Sequence, residues 1–296
     1  MSQKEVVAAA GGGERAEGSP AAGGGGGGEL AEALARRRLY REVTLALRTG
    51  LRDAKADFSF LRARGLRSLL GFLRSTASSS DDSQLLLFRH SQSIPDLQVI
   101  PVLFQNSLHQ PKEDLVVTLD HVFGIEPMKI TSPPTDSEIA LALRVLEGCC
   151  LLYSRCTALA HKYKAVKVIL NILANRGPAE QGVCLDALIS LMLDSPSNQM
   201  DFDEYSGLEK VAELLKDVQV EEHIRLKCGE FLLLLIGHVY VKENSPIHEQ
   251  MRNLFGEQCA SLIWAASRFG STLDVEQRQM ALQIQARRVV ESLEPY

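Results

Sequence analysis

The segment Ala165-Val166-Lys167-Val168-Ile169-Leu170-Asn171-Ile172-Leu173 returns at an offset of 42 as Gly207-Leu208-Glu209-Lys210-Val211-Ala212-Glu213-Leu214-Leu215. The stretch after each returns as well, 185–193 as 228–236 at an offset of 43. Leu208, Val211, Ala212, Leu214, Leu215 and Val218 hold the i, i+3, i+4, i+7 spacing of an amphipathic helix. Residues 65–73 resemble the first element once more. A short helix, a turn and a longer buried helix cannot cover their own apolar face, so such units must stack.

The period predicts an all-α, armadillo/HEAT-like helical repeat solenoid, a fold that offers long surfaces for binding. Helices are expected near 137–160, 163–175, 179–194, 208–217, 221–241, 248–267 and 274–293. Thr135 or Asp136 caps the first, with Glu138 in its opening turn. Residues 231–236 are apolar on every face, which marks that helix as central.

Upstream the chain changes character. Ten of the 22 glycines fall within residues 1–28, where no apolar periodicity exists, so a disordered Gly/Ala-rich tail is expected there. Residues 29–91 read as a basic helical region, with a Ser/Asp linker at 75–83 and a short helix at 84–90. Residues 92–135 read as a Pro-rich connector with short helices, since six of the 11 prolines lie between 95 and 134. Residues 136–296 carry the repeats.

Charge is uneven along this plan. The chain totals −5, yet residues 36–74 carry ten Arg and one Lys against Glu42, Asp53 and Asp57. An overall negative balance argues against a protein devoted to nucleic acid. A second basic group, Arg155, His161, Lys162, Lys164 and Lys167, contains no acid. The first reads as a solvated helix face and the second as a charged interhelix corner; the sharper reading of both is docking to an acidic protein surface. A nucleic-acid or membrane-surface binder using 36–74 is the competing class, and a basic stripe on one helix face would favour it.

Motifs for catalysis fail on physical grounds. Cys149 and Arg155 have the spacing of a cysteine-phosphatase loop, but no glycine lies between them to form a phosphate cradle. Cys149 and Cys156 lie about 10 Å apart along a continuous helix, too far for one metal ion. The six glycines at 23–28 lack the Lys-Ser/Thr of a phosphate loop. The expectation is a non-enzyme with no cofactor or metal. The six cysteines sit in Leu-rich surroundings without a secretory leader, which predicts free thiols in a reducing, cytoplasmic setting with no membrane span. The Asn ladder that clamps extended peptides in armadillo proteins would align with Ser190 and Leu233, and neither is Asn, which speaks against an extended-peptide ligand. Ser78–Ser80 before Asp81-Asp82, and Ser132 before Pro133, resemble kinase sites.

Laid out in order, Leu143-Arg144-Val145-Leu146-Glu147-Gly148-Cys149-Cys150-Leu151-Leu152, residues 165–173 and 185–193, Leu193-Asp194-Ser195-Pro196, Phe202, Gly207-Leu208 and Arg225-Leu226-Lys227-Cys228-Gly229-Glu230-Phe231-Leu232 resemble the cell division control protein 14 family. This is the septation-initiation-network component, unrelated to the phosphatase of that name. Phe58-Ser59-Phe60-Leu61-Arg62 and Ile94-Pro95-Asp96-Leu97-Gln98-Val99-Ile100-Pro101 look like the land-plant branch. The resemblance implies a non-catalytic, armadillo-like partner of a sterile-20-like protein kinase in cytokinesis control, at spindle poles or the division site. An adaptor for another acidic partner is the alternative. Arg62, Arg64, Arg67, Lys162, Lys164 and Lys167 are the candidate contact residues.

Overall fold

The computed structural model describes residues 26–109, 132–240, 246–268 and 274–293. Every regular element among them is helical. The chain divides into two compact units, residues 1–41 and 42–296. In the first, residues 26–41 are the opening part of α1 (Gly26–Ala54), so this helix begins inside the glycine run. From Leu30 to Arg41 its side chains are exposed except for half-buried Leu39. The expected tail otherwise lies outside the described residues.

In the second unit α1 buries Val43, Leu47, Leu51 and Ala54, one face at spacings of three and four. It meets α2 (Ser59–Ser78) where Gly50 and Gly65 let two backbones approach: a Cβ on Gly65 would lie 2.4 Å from the Ala54 nitrogen. α2 runs into the expected Ser/Asp linker as far as Ser78. Thr76 and Ser78 hydroxyls donate to the Phe72 and Arg74 carbonyls, so serine and threonine here extend a helix rather than end it. Asp81 caps α3 (Asp82–Ser91), and a 3-10 turn (Pro95–Leu97) leads to α4 (Val99–Gln105). The rest of the Pro-rich connector, 110–131, lies outside the described residues.

Eight unbroken helices follow among the described residues. These are α5 (Asp136–Leu152), α6 (Ser154–Lys162), α7 (Ala165–Asn175), α8 (Pro178–Met192), α9 (Pro196–Glu204), α10 (Gly207–Lys216), α11 (Glu222–Leu234) and α13 (Val275–Glu291). A π turn (Leu235–Val239) and α12 (Pro246–Ser267) stand between the last two, and Gly256 at φ 81° breaks α12 in its middle. Thr135 caps α5, its hydroxyl accepting from the Glu138 N–H.

The repeat is visible in the backbone. Helices α6 and α9 start 42 residues apart, as do α7 and α10. Lys164 and Ser206, the residues before α7 and α10, both take the left-handed conformation, at φ 54°. Val166, Ile169, Leu170 and Leu173 correspond to Leu208, Val211, Ala212 and Leu215, and all eight are buried. α8 and α11 complete the two units as longer helices. In one row α2 packs on α5, α5 on α8, α8 on α11 and α11 on α13.

Three expectations need correction. Residues 65–73 belong to 20-residue α2 in this row of long helices and are not a third copy of α7; any core-facing helix shows the same apolar spacing. The helix expected over 137–160 stops at Leu152, where Tyr153 turns extended, and α6 starts afresh. α9 was not expected, because it buries only Asn198 and Phe202 and so has little apolar rhythm. The candidate clamp positions Ser190 and Leu233 are both buried, so neither reaches a peptide on the surface.

Charges line the row of long helices. Lys227 of α11 reaches Asp186 of α8 at 2.8 Å and Glu230 at 3.0 Å. Glu147 of α5 stands beside the same group; burial first, and then the like charge of Asp186, lift its carboxyl above the ordinary carboxylate range. A carboxyl raised in the folded state adds stability below its ordinary value of 4.5, and that contribution is lost as pH rises through the folded value. Glu147→Gln should therefore raise the melting temperature at pH 7 by about 1–2 °C and leave it unchanged at pH 4. A drop at pH 7 in calorimetry would overturn this sign.

Candidate functional site

The α2 arginines divide between surface and interior. Arg64, Arg67 and Arg74 are exposed and lie opposite the buried stripe of Leu66, Leu69 and Leu73. Arg64 reaches Asp53 at 2.8 Å, and this bond, assisted by Arg52, holds the Asp53 carboxyl below its usual range. Arg62 corrects the sequence reading, because it is only 4% exposed. Its guanidinium grips Glu138 of α5 at 2.7 and 3.2 Å and donates to the carbonyls of Ala56, Asp57 and Ser132. Residue 62 precedes Leu66, Leu69 and Leu73 by four, seven and eleven, so it lies on the core stripe; that spacing was the available signal. Arg62 joins helices and has no surface left for a partner.

The second basic group sits at the corner of α6 and α7. Lys162, Lys164 and Lys167 are all exposed. Lys167 lies 5.4 Å over the ring of Tyr205 in the next unit. His161 Nδ1 stands 2.9 Å from Asp201 of α9. These two contacts tie the basic corner to its neighbour. Arg155 and Lys162 remain turned toward a groove of about 370 Å³, which they line with Gln92, Ser93, Gln98 and Tyr153. Gln92 anchors the far wall: its amide donates to the Leu97 carbonyl and accepts from the Val99 N–H. The sequence reading missed Gln92, Gln98 and Tyr153, since the first two are placed by side-chain bonds around the 3-10 turn that have no sequence signature and the third marks the unforeseen helix break.

Matched positions of the two units differ in charge. At the offset of 42, Arg155, Lys162, Lys164 and Lys167 correspond to Ser197, Glu204, Ser206 and Glu209. Tyr163 corresponds to Tyr205, and Ala165 to Gly207. The corner's geometry recurs, then, while its cations do not. Arg64 and Arg67 lie on α2 and belong to a separate surface patch.

The thiols are placed for packing. All six cysteines are free and buried. Burial lifts Cys184 well above the ordinary thiol range and pushes Cys228 up to about 12, conditions that suppress thiolate. Cys156, beyond the break at Tyr153, lies beside Cys149, and that neighbouring thiol together with burial raises the Cys149 pKa. The 10 Å separation expected of a continuous helix therefore does not hold. No group of three or more His, Cys, Asp or Glu able to hold a metal ion occurs among the described residues. Nor is any described helix long and apolar enough to cross a membrane.

The family model described as cell division control protein 14, SIN component, matches residues 111–282. No curated protein matches the chain. Two engineered proteins of known structure are similar to it. One is 12% identical with a TM-score of 0.46, the match covering 84% of this chain and 98% of that one. The other is 11% identical with a TM-score of 0.40, covering 83% and 96%.

Proposed function

Because the chain belongs to the cell division control protein 14 family of SIN components, we propose that it is a non-catalytic scaffold in cell-division control, docking a protein kinase of the sterile-20-like type through its basic corner. The repeat is read as armadillo-like: a short helix, a second helix, and a longer third helix that stacks on its counterpart. Such a stack is already ordered before its partner arrives, so docking costs little conformational entropy. The partner type and a place of action at the spindle pole or division site follow from what the family resemblance implies.

The change of charge at matched positions carries this reading. Among the described residues, Arg155 and Lys162 make no contact that holds the corner together, unlike Lys167 over Tyr205, and the second unit has Ser197 and Glu204 in their places. Both corners keep the left-handed turn at Lys164 and Ser206, so backbone geometry leaves the side chain free to vary. Arg155 and Lys162 stand on a groove whose lining also includes Ala158 and Leu159, and are suited to an acidic segment that carries an apolar side chain. Charges at such a rim mainly set the association rate and its salt dependence.

The test is capture of a sterile-20-like kinase by the full chain, followed by calorimetry with the purified kinase. Arg155→Glu together with Lys162→Glu should leave the melting temperature within about 1 °C, because both residues are exposed. Kinase affinity should fall by about tenfold or more at low salt. Unchanged affinity in the doubly reversed protein would remove the corner from the interface. Failure to retain any such kinase would reduce the kinase reading to an adaptor for another acidic protein.

A further inference from the structure

Ser132 stands at a seam between helices. Its Oγ accepts the N–H of Ser59, the first residue of α2, whose own cap residue Phe58 offers no side-chain bond. Its carbonyl accepts from Arg62 Nη2 at 2.7 Å, and its N–H donates to the Asp57 carbonyl at 3.0 Å. Behind it the Ser59 hydroxyl donates to Glu138 Oε2, and Arg62 grips the same carboxylate. A residue 73 positions downstream thus caps α2 and touches the polar network that joins α2 to α5.

Pro133 follows Ser132, and the fold gives this Ser-Pro pair no local reason. In Ser195-Pro196 the proline opens α9, the first-turn position for which its fixed φ and missing N–H are suited. Pro246 opens α12 in the same way. Pro133 opens no helix. Residues 132–135 have no regular structure, Pro133 is exposed, and α5 begins only after Thr135. A non-helical Ser-Pro pair with an exposed proline is the form a proline-directed protein kinase accepts.

We propose that Ser132 is a phosphorylation site whose modification opens the α2–α5 seam. In the transfer the γ-phosphoryl group of ATP passes to Ser132 Oγ. An O–P bond forms there as the bond to ADP breaks, and the hydroxyl proton leaves to the kinase's base. The product carries close to two negative charges at neutral pH. The hydroxyl proton takes no part in the bond from the Ser59 N–H, so the ester oxygen keeps its lone pairs; what the phosphate adds is bulk and charge at a half-buried position between the two helices, which pushes Oγ away from the start of α2. The phosphate also competes with Glu138 for Arg62. Glu138 is fully buried, and a carboxylate left there without its cation drives the helices apart. The start of α2 and the start of α5 loosen together, which changes how α2 presents Arg64 and Arg67.

The experiment treats the full chain with a purified proline-directed kinase and ATP, locates phosphate by mass spectrometry, and measures melting and hydrogen exchange before and after. The expected result is phosphate on Ser132, a melting temperature lower by about 5 °C or more, and faster exchange in 59–66 and 136–142. Ser132→Ala should melt slightly below the unmodified chain and lose no further stability on kinase treatment, which separates this serine from other Ser-Pro pairs. Two results would overturn the proposal. One is Ser132 unmodified in the chain while a peptide of 128–138 is phosphorylated. The other is complete modification with melting and exchange unchanged or strengthened.

Discussion

Glu138→Ala is expected to lower the melting temperature by on the order of 10 °C, although the residue is none of the proposed contact residues. Glu138 is 0% exposed and Arg62 4%. Removing the acid leaves a guanidinium in the interior with only carbonyl oxygens of Ala56, Asp57 and Ser132 to face. Breaking a buried pair from one side costs about 3–5 kcal/mol, since the remaining charge keeps its desolvation penalty and loses its counter-ion. Arg62→Met with Glu138→Leu removes both charges and should recover most of the loss. The exposed pair of Arg64 and Asp53 supplies the contrast: Asp53→Ala should move melting by no more than about 2 °C. Circular dichroism melts of the four proteins decide the matter. A Glu138→Ala chain as stable as the original, or a double variant no better than the single, would show that the network contributes nothing net.

This pair also shows where sequence reading stops. The core stripes of α7 and α10 were legible because Val166, Ile169, Leu170 and Leu173 repeat at fixed spacing and burial follows apolarity. Arg62 occupies such a stripe, but residue type alone assigns arginine to the surface. Its partner is 76 residues away, and no local pattern encodes that pairing. The break at Tyr153 escaped notice for a related reason. Residues 149–160 contain no glycine or proline that would end a helix, yet Tyr153 takes φ −154° and Cys156 comes beside Cys149.

The candidate groove was half legible. Arg155 and Lys162 stand out in a run without acids, and their exposure follows from their charge. The opposite wall comes from Gln92, Ser93 and Gln98, polar residues whose placement depends on the 3-10 turn and on Gln92 bridging Leu97 and Val99. The internal repeat was more informative than any motif. It supplied a second copy of the same corner, at whose matched positions the cations give way to serine and glutamate.

Phe231→Asp is expected to unfold the units around α11. Phe231 is 2% exposed, and its ring centroid lies 5.9 Å from that of Phe202, itself fully buried. Phe202 is the main apolar anchor of α9 and fills the space above Gly207, where a Cβ would meet its ring. One substitution therefore loosens α11, the short helix α9 and the start of α10 together. Losing the ring costs about 3–5 kcal/mol, and an unpaired carboxylate in its place adds several more. That sum is comparable with the whole stability of a typical domain, about 5–15 kcal/mol. Because stacked repeats depend on their neighbours, α13 loses its packing surface on α11 as well. Hydrogen exchange should show protection lost across 196–239 and 275–291, while Phe231→Leu keeps protection and melts only a few degrees lower. If Phe231→Asp melted with the original chain, α11 would not be the central helix, and the row from α8 through α11 to α13 would have to be redrawn.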